Sequence, residues 1–137
     1  MSYEQDPAFS EEDELQILSE MALNSNKIDW KPAIILSELY IEKHAKIKIQ
    51  KILKHRKIKL HKKIESLSLN QITLLLYTLH EINSKEYTEI NKIQKAVNSI
   101  VHPKKTSTPT FSGDKANNKY KPLIEIATQI ISTLKNN

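Results

Sequence analysis

The stretch that decides the fold is PAIILSELYIEKHAKIKIQKIL, residues 32–53. Its apolar residues recur mostly three or four positions apart, which is the spacing of an α-helix with one buried face. Pro32 fits the first turn of this helix, where an N–H group has no intrahelical acceptor. The sequence therefore predicts a long helix from Pro32 to His55 or beyond, with these apolar positions facing the core: Ile34, Ile35, Leu39, Ile41, Ala45, Ile49, Ile52 and Leu53.

Capping residues predict one helix before the long helix and one after it. The Ser10 hydroxyl is placed to cap the first amides of a helix that ends at Asn24. Ser68 and Gln71 form a capping box that opens a leucine-rich helix, with His80 as its C-terminal cap. Because this third helix is apolar nearly all round, we expect it to be the buried centre of the fold.

Two further helices are predicted in the second half of the chain. Ser84 is predicted to cap a helix that ends at about Val101, because Pro103 disfavours helical backbone in the residue before it. A last helix is predicted over Pro122–Leu134. Residues 103–120 between these helices have no apolar periodicity and are rich in Thr, Ser, Lys and Asn, so they are predicted to form a flexible loop.

Composition agrees with an all-α fold. The chain has 137 residues, of which 39% are hydrophobic and 27% charged, as in one globular domain. One glycine and five prolines leave little turn chemistry for a sheet. We therefore predict an up-down bundle of four to five helices that forms a single domain over residues 1–137. Residues 1–31 would be an N-terminal helix and linker, in which Trp30 is a packing anchor between the first two helices.

Several classes of chemistry are excluded by composition. The chain has no cysteine, so disulfides, thiolate metal sites and a cysteine nucleophile are ruled out. The five histidines lack paired zinc spacing, and a single glycine rules out a glycine-rich phosphate loop. We therefore expect neither a metal nor another cofactor. The acidic start differs from a signal peptide and the apolar runs are too short to span a bilayer, so we expect a cytoplasmic protein without membrane association.

A dense cationic segment, from Lys43 to Lys63, covers the second half of the long helix and the residues after it. Lysines in such a segment displace counterions from a phosphate backbone, which predicts RNA binding that weakens with salt and carries little sequence information. A solvated helix face is the alternative, since nearly all basic residues of this chain are lysines. The acidic N-terminal residues are candidates to fold back on the segment. Its predicted RNA contacts are Lys51, Lys54, Arg56, Lys59, His61 and Lys62.

The candidate chemistry lies at the end of the fourth predicted helix, in the stretch AVNSIVHP, residues 96–103. Asn98 and His102 are four residues apart and therefore share a helix face, which Asn91, Gln94 and Lys95 extend toward the N-terminus. An imidazole titrates near neutral pH, so His102 is suited to move a proton to or from a ribose 2′-hydroxyl without a metal. Alternatively, Asn98 is an ordinary exposed residue and His102 is a cap whose charge complements the helix dipole.

This stretch resembles the Arg-Asn-x-x-x-His motif of the HEPN superfamily, a group of small helical RNA-cleaving domains. Asn98, His102 and Pro103 match the motif and the proline that often follows it, whereas Val97 stands at the place of the arginine. The long helix, the leucine-rich helix and the motif helix also follow in the order found in archaeal members. The resemblance implies a HEPN-like bundle and a homodimer in which the two His102 side chains lie near the twofold axis.

The missing arginine limits the activity that this resemblance implies. An arginine at Val97 would stabilise the charge that builds up in the transition state, and losing such a partner commonly costs about 3 to 4 kcal/mol. The implied function is either a weak metal-independent endoribonuclease that uses His102 and Asn98, or an RNA binder that has lost catalysis. The substitute cations would be Lys95, Lys104 and Lys105. A toxin–antitoxin or defence setting depends on genomic context.

Other interpretations of the same residues stay open. The stretch Arg56–His61 also spaces an arginine and a histidine as in the motif, but it lies at the end of the long helix and has Lys57 after the arginine. A second class of function is a helical interaction protein that regulates a nucleotidyltransferase or a nuclease. A third is a basic DNA-binding or nucleoprotein-complex subunit that uses the cationic segment alone. Salt-dependent binding to single-stranded RNA in preference to duplex DNA would distinguish the first class from the third.

Overall fold

The fold is all-helical over the residues that the structure, a computed structural model, describes: 10–24, 28–60, 63–103 and 110–136. This confirms the predicted all-α helical bundle. No strand occurs within these ranges, and none of the helices in them combines the length and apolar content needed to cross a membrane. The helices are α1 (Glu11–Asn24), α2 (Lys31–Arg56), α3 (Leu69–Thr78), α4 (Ser84–Val101) and α5 (Asp114–Lys135), with a short 3₁₀ turn (Ile64–Ser66) before α3.

The central element is α2, which contacts all four other helices and the 3₁₀ turn. The prediction that the leucine-rich helix is the buried centre is wrong, because α3 has only ten residues and Leu74 in it is 53% exposed. Leu39, predicted to face the core from α2, is also exposed. A stripe of the longer helix therefore forms the middle of the core, and its buried residues are Ala33, Ile34, Ser37, Ile41, Ala45, Lys48, Ile49 and Leu53.

The direction of α4 relative to α2 follows from contacts near both ends of α4. Lys48 in α2 forms an ion pair with Glu81, just before α4, at 3.6 Å. Ile34, earlier in α2, lies beside Ile93, later in α4. The two helices are therefore antiparallel, and α4 ends near the level where α2 begins.

The directions of α1 and α5 follow in the same way. Glu11 at the start of α1 contacts His44 in the middle of α2, and a short connection joins the end of α1 to α2, so these helices are antiparallel. Asn117 in the first turn of α5 contacts Trp30 at the start of α2, and Ile124 further on lies beside Ile34. Therefore α5 runs parallel to α2.

The capping signals at helix N-termini are largely confirmed. Asp13 donates its backbone N–H to the Ser10 hydroxyl at 3.2 Å, and Ser68 and Gln71 form the reciprocal capping box. At α4 the cap is Asn83 and not Ser84. Asn83 has extended backbone and accepts from the N–H of the third helical residue, whereas Ser84 is already helical.

Two helices end on residues with left-handed backbone although the sequence has no glycine there. After α3, His80 has φ +62°, and its backbone N–H donates to the Tyr77 carbonyl while that of Glu81 donates to Leu76. This is a Schellman motif, so His80 terminates α3 through its backbone conformation. Lys57, with φ +57°, ends α2 in the same way.

The last helix begins earlier than predicted. Because α5 starts at Asp114, the predicted loop over residues 103–120 is wrong for 114–120, and residues 104–109 lie outside the described residues. Ala116 and Tyr120 are buried, so the apolar stripe extends two turns ahead of Pro122. Pro122 removes one backbone hydrogen bond, but both Pro122 and Asn118, whose carbonyl loses its helical donor, are exposed residues.

Trp30 joins the start of α2 to the segment that leads into α5. The residue is fully buried. Its backbone N–H donates to the Phe111 carbonyl at 2.7 Å, and its indole Nε1 donates to Asn117 Oδ1 at 2.9 Å. The Phe111 ring stacks on Tyr120, with centroids 5.1 Å apart. Trp30 is buried as predicted, but its hydrogen-bond partners belong to the C-terminal part of the chain, and its predicted role between the first two helices stays a prediction.

We expect Asn117→Ala to lower the free energy of unfolding by about 1 to 2 kcal/mol, because it leaves the buried indole N–H without an acceptor. Chemical denaturation followed by circular dichroism measures the change. Asn118→Ala, at the exposed neighbouring position, is the matched control and should change stability by less than about 0.5 kcal/mol. Equal effects of the two substitutions would show that the indole hydrogen bond does not stabilise the fold.

Candidate functional site

The polar face predicted on α4 borders a groove in the structure. Asn91, Gln94, Lys95 and Asn98 all line this groove, while Val97 on the other side of α4 is buried. The periodicity of the helix therefore divides it into a core side and a polar side, as the sequence suggests.

We call this cleft the amide groove; it has a volume of about 510 Å³. Glu38 lines it from α2 and Asn70 from the first turn of α3, and neither was a sequence-based candidate. Burial raises the pKa of Glu38, and the charge of Glu42 adds to this effect. The groove thus combines one carboxyl group with four side-chain amides and two lysines, a set that both donates and accepts hydrogen bonds. Only the packing of three helices brings these residues together.

The two motif residues lie at the end of α4, and both are exposed. His102 is the residue after the last helical turn, and its backbone N–H donates to the Asn98 carbonyl at 2.8 Å. Asn98 borders the amide groove but His102 does not. The backbone of His102 has left the helical conformation (φ −126°, ψ 70°), so the helix face that the sequence predicts for Asn98 and His102 ends at Asn98.

Val97, at the place of the motif arginine, is 8% exposed and belongs to the hydrophobic core. Its neighbours on the same stripe include Ile93, which is fully buried. The nearest cations on α4 are Lys95 and Lys92, and both are exposed. Lys104 and Lys105 lie outside the described residues. The described part of α4 thus offers lysine but no arginine next to Asn98.

Lys92 and Lys95 also border a second groove, between α4 and α5. This groove has a volume of about 450 Å³, and Leu123 and Ile126 make its floor largely apolar. Lys119 is a third lysine at its edge, and no carboxylate lines it. The two lysines on α4 therefore form a ridge with a groove on each side. Lys92 and Lys119 were not among the sequence-based candidates, since no motif singles them out.

The first half of the cationic segment is neutralised by acidic residues. Lys43 and His44 both contact Glu11, at 3.3 and 2.6 Å, so the acidic start of α1 folds back on α2. Lys46 pairs with Glu42 at 2.7 Å. Lys48 is only 6% exposed and pairs with Glu81 just before α4. These four residues are therefore not available to a phosphate backbone without breaking an existing contact.

The acidic residues of α1 change the titration of this region. Burial alone would raise the pKa of Glu11, but the hydrogen bond with His44 and the charges of His44 and Lys43 outweigh it, so the pKa lies below its ordinary value of 4.5. Burial of Tyr40 and its hydrogen bond to the Glu14 carboxylate raise the pKa of the phenol to about 12. The contacts of Glu11 with Lys43 and His44 and the Tyr40–Glu14 hydrogen bond join α1 to α2 in addition to their apolar packing.

The second half of the cationic segment is exposed. Among the residues that the structure describes, no carboxylate lies within ion-pair distance of the four predicted RNA contacts in this half: Lys51, Lys54, Arg56 and Lys59. The other two, His61 and Lys62, lie outside the described residues. We call the four described residues the α2-end cations. They form an exposed cationic surface at the C-terminal end of α2.

The predicted site residues fall into two groups at opposite ends of the bundle. Glu38 in α2 lies at the level of Asn91 in α4, because both line the amide groove. From that level, Lys54 is sixteen residues along α2 in one direction and His102 eleven residues along α4 in the other. At 1.5 Å per residue the two groups are roughly 40 Å apart. Arg56 and His102 therefore do not belong to one catalytic site of a single chain.

Comparisons with protein-family models, with curated proteins and with solved structures give no match. Within the described ranges, no three histidine, aspartate or glutamate side chains come together as a metal site would require. Functional inference therefore depends on the grooves and the charged surfaces.

We expect Glu11→Gln to lower the free energy of unfolding by about 1 kcal/mol at neutral pH. The pKa of Glu11 is lower in the folded state, so its contribution is complete above the unfolded pKa and is lost as the pH falls through the folded value. Denaturation curves between about pH 3 and pH 7 should show the two proteins converging at the acidic end. Glu125→Gln, at an exposed position of α5, controls for the loss of one surface carboxylate. A constant difference over the whole range would contradict the assignment.

Proposed function

We propose that this protein is a HEPN-like RNA-binding domain that has lost efficient ribonuclease activity. The observation that carries the proposal is the division of α4, which presents Asn98 and His102 to solvent while Val97 is built into the core. The four-residue spacing of Asn98 and His102 matches that of the motif. The position of the phosphate-binding arginine is taken by the buried side chain of Val97.

Binding is supported by the distribution of charge. The α2-end cations are exposed, and the ridge of Lys92 and Lys95 is flanked by grooves that single-stranded RNA can enter. Acidic residues neutralise other lysines of α2 but none of these, within the described part of the chain. Such surfaces bind a phosphate backbone mainly through counterion release. We infer single-stranded RNA as the partner, because side-chain amides are suited to unpaired base edges.

The homodimer belongs to the same proposal. Val101 is 58% exposed and lies beside His102, so the end of α4 offers an apolar contact for a second copy. A twofold contact there would bring two copies of Asn98 and His102 together. In that arrangement the two Lys95 side chains are the cations available in place of the arginine.

Replacing Lys51 and Lys54 together by Gln should weaken binding to single-stranded RNA and flatten its salt dependence. Each lost phosphate contact lowers the slope of log affinity against log salt by about 0.7, so we expect a decrease of about 1.4 for the double variant. Fluorescence anisotropy with a labelled oligouridylate at several salt concentrations measures the slope. Lys43→Gln is the matched control, because Glu11 already neutralises this lysine. A wild-type slope in the double variant would show that Lys51 and Lys54 do not contact RNA phosphates.

Cleavage assays in EDTA test the loss of catalysis. We expect the wild type to cleave RNA slowly or not at all, and His102→Ala to abolish any cleavage that remains. Val97→Arg should raise the rate, by up to about 10² to 10³, if its guanidinium reaches the phosphate from the edge of the core. Val101→Arg is the matched control, since it adds an arginine at the same helix end outside the motif position. Undiminished cleavage by His102→Ala would contradict the proposed role of His102.

A further inference from the structure

We propose that the amide groove binds a guanine base of single-stranded RNA. The inference rests on the proposed RNA-binding function and adds a base preference that the phosphate contacts alone cannot provide. The groove is formed by α2, α3 and α4, and its volume of about 510 Å³ falls in the range of small-molecule pockets. A flipped-out base with its ribose is of the right size for such a site.

Two hydrogen-bond acceptors in the groove have no donor. The Oε1 atom of Gln94 is buried and has no hydrogen-bond partner. The carboxyl group of Glu38 is half-buried and makes neither a hydrogen bond nor an ion pair with any residue that the structure describes. The Glu38 carboxyl group lines the groove and can be reached by a ligand, whereas Gln94 Oε1 has to turn toward the groove before it can accept from one. A ligand with donors for both atoms is therefore favoured over one that brings acceptors.

Guanine supplies these donors on a single edge. Its N1–H and N2 amino groups are adjacent, and together they match a carboxylate or a pair of neighbouring acceptors. Adenine presents an acceptor at N1 and carries no N2 amino group, so it would place an acceptor against the same atoms. The O6 atom of guanine needs a donor, and the side-chain amides of Asn70 and Asn91 border the groove.

The phosphate groups of such a nucleotide have partners at the edge of the groove. Lys92 and Lys95 both line it and continue into the second groove beside α5. A strand whose base enters the amide groove can therefore keep its backbone along this ridge. The base provides selectivity and the lysines provide affinity that depends on salt.

The test compares the RNA nonamers UUUUGUUUU, UUUUAUUUU and UUUUIUUUU, where I is inosine, with the uridine nonamer as reference. We expect the guanine nonamer to bind the full-length wild type about tenfold more tightly than the adenine nonamer. Inosine keeps N1–H but lacks the N2 amino group, so it should lose most of this preference. Gln94→Ala and Glu38→Gln should each lower the ratio of guanine to adenine affinity by more than they lower affinity for the uridine nonamer. Gln129→Ala, at an exposed glutamine of α5, is the matched control and should keep the preference.

The outcomes separate the inference from the proposed function. Equal affinities for the guanine and adenine nonamers, with salt-dependent binding of all four RNAs, would overturn the guanine site and leave RNA binding standing. If no RNA binds, titration of the protein with GMP and AMP decides the inference on its own. Shifts of the Gln94 side-chain amide resonances with GMP but not with AMP would support the site, and their absence would overturn it. A guanine preference that survives Gln94→Ala would also overturn the assignment to this groove.

Discussion

The hydrogen bonds of Trp30 are the constraint on which the arrangement of the C-terminal half depends. A buried indole must satisfy its N–H, and in this fold the acceptor comes from Asn117, which requires the chain to be helical well before Pro122. The backbone bond from Trp30 to Phe111 fixes where that helix begins. The start of α5 is thereby held beside the start of α2, and the end of α4 lies at the same end of the bundle because α4 is antiparallel to α2.

The cations of α2 have different surroundings in the middle of the helix and at its C-terminal end. The cations in the middle of the helix are Lys43, His44 and Lys48, and carboxylates from the start of α1 and from Glu81, three residues before α4, contact them. Beyond Gln50 the helix extends past these neighbours, and its cations face solvent. A lysine-rich sequence thus contains two kinds of lysine, one that stabilises the fold and one that is available to a polyanion. The distinction follows from the lengths of the neighbouring helices and not from the local sequence.

Much of the fold was predictable because local signals determine it. The capping box at Ser68, the stop before Pro103 and the apolar stripe of α2 each depend on residues within one or two turns. The errors arose where distant residues decide. The first two turns of α5 are stabilised by contacts with Trp30, more than eighty residues away, and α3 lies on a flank because α2 is the longer helix. In the candidate site, Asn91, Gln94, Lys95 and Asn98 were predictable from helical periodicity, whereas Glu38 and Asn70 come from other helices and carry no motif.

The burial of Val97 affects the packing of α4 as well as the chemistry that the proposed function assigns to it. An arginine at this position would have to extend its charge from the edge of the core to solvent, and its stem would displace the packing that Ile93 and Val97 now share with the rest of the bundle. A valine there fills the core, and on the proposed function it does so in place of a group that would stabilise the transition state. A valine in place of an arginine at position 97 leaves the polar side of α4 unchanged, because the residues on that side line the amide groove and not the core. On the proposed function, a surface that binds RNA persists without the chemistry, and its acceptors at Glu38 and Gln94 give a preference for a base that cleavage itself does not require.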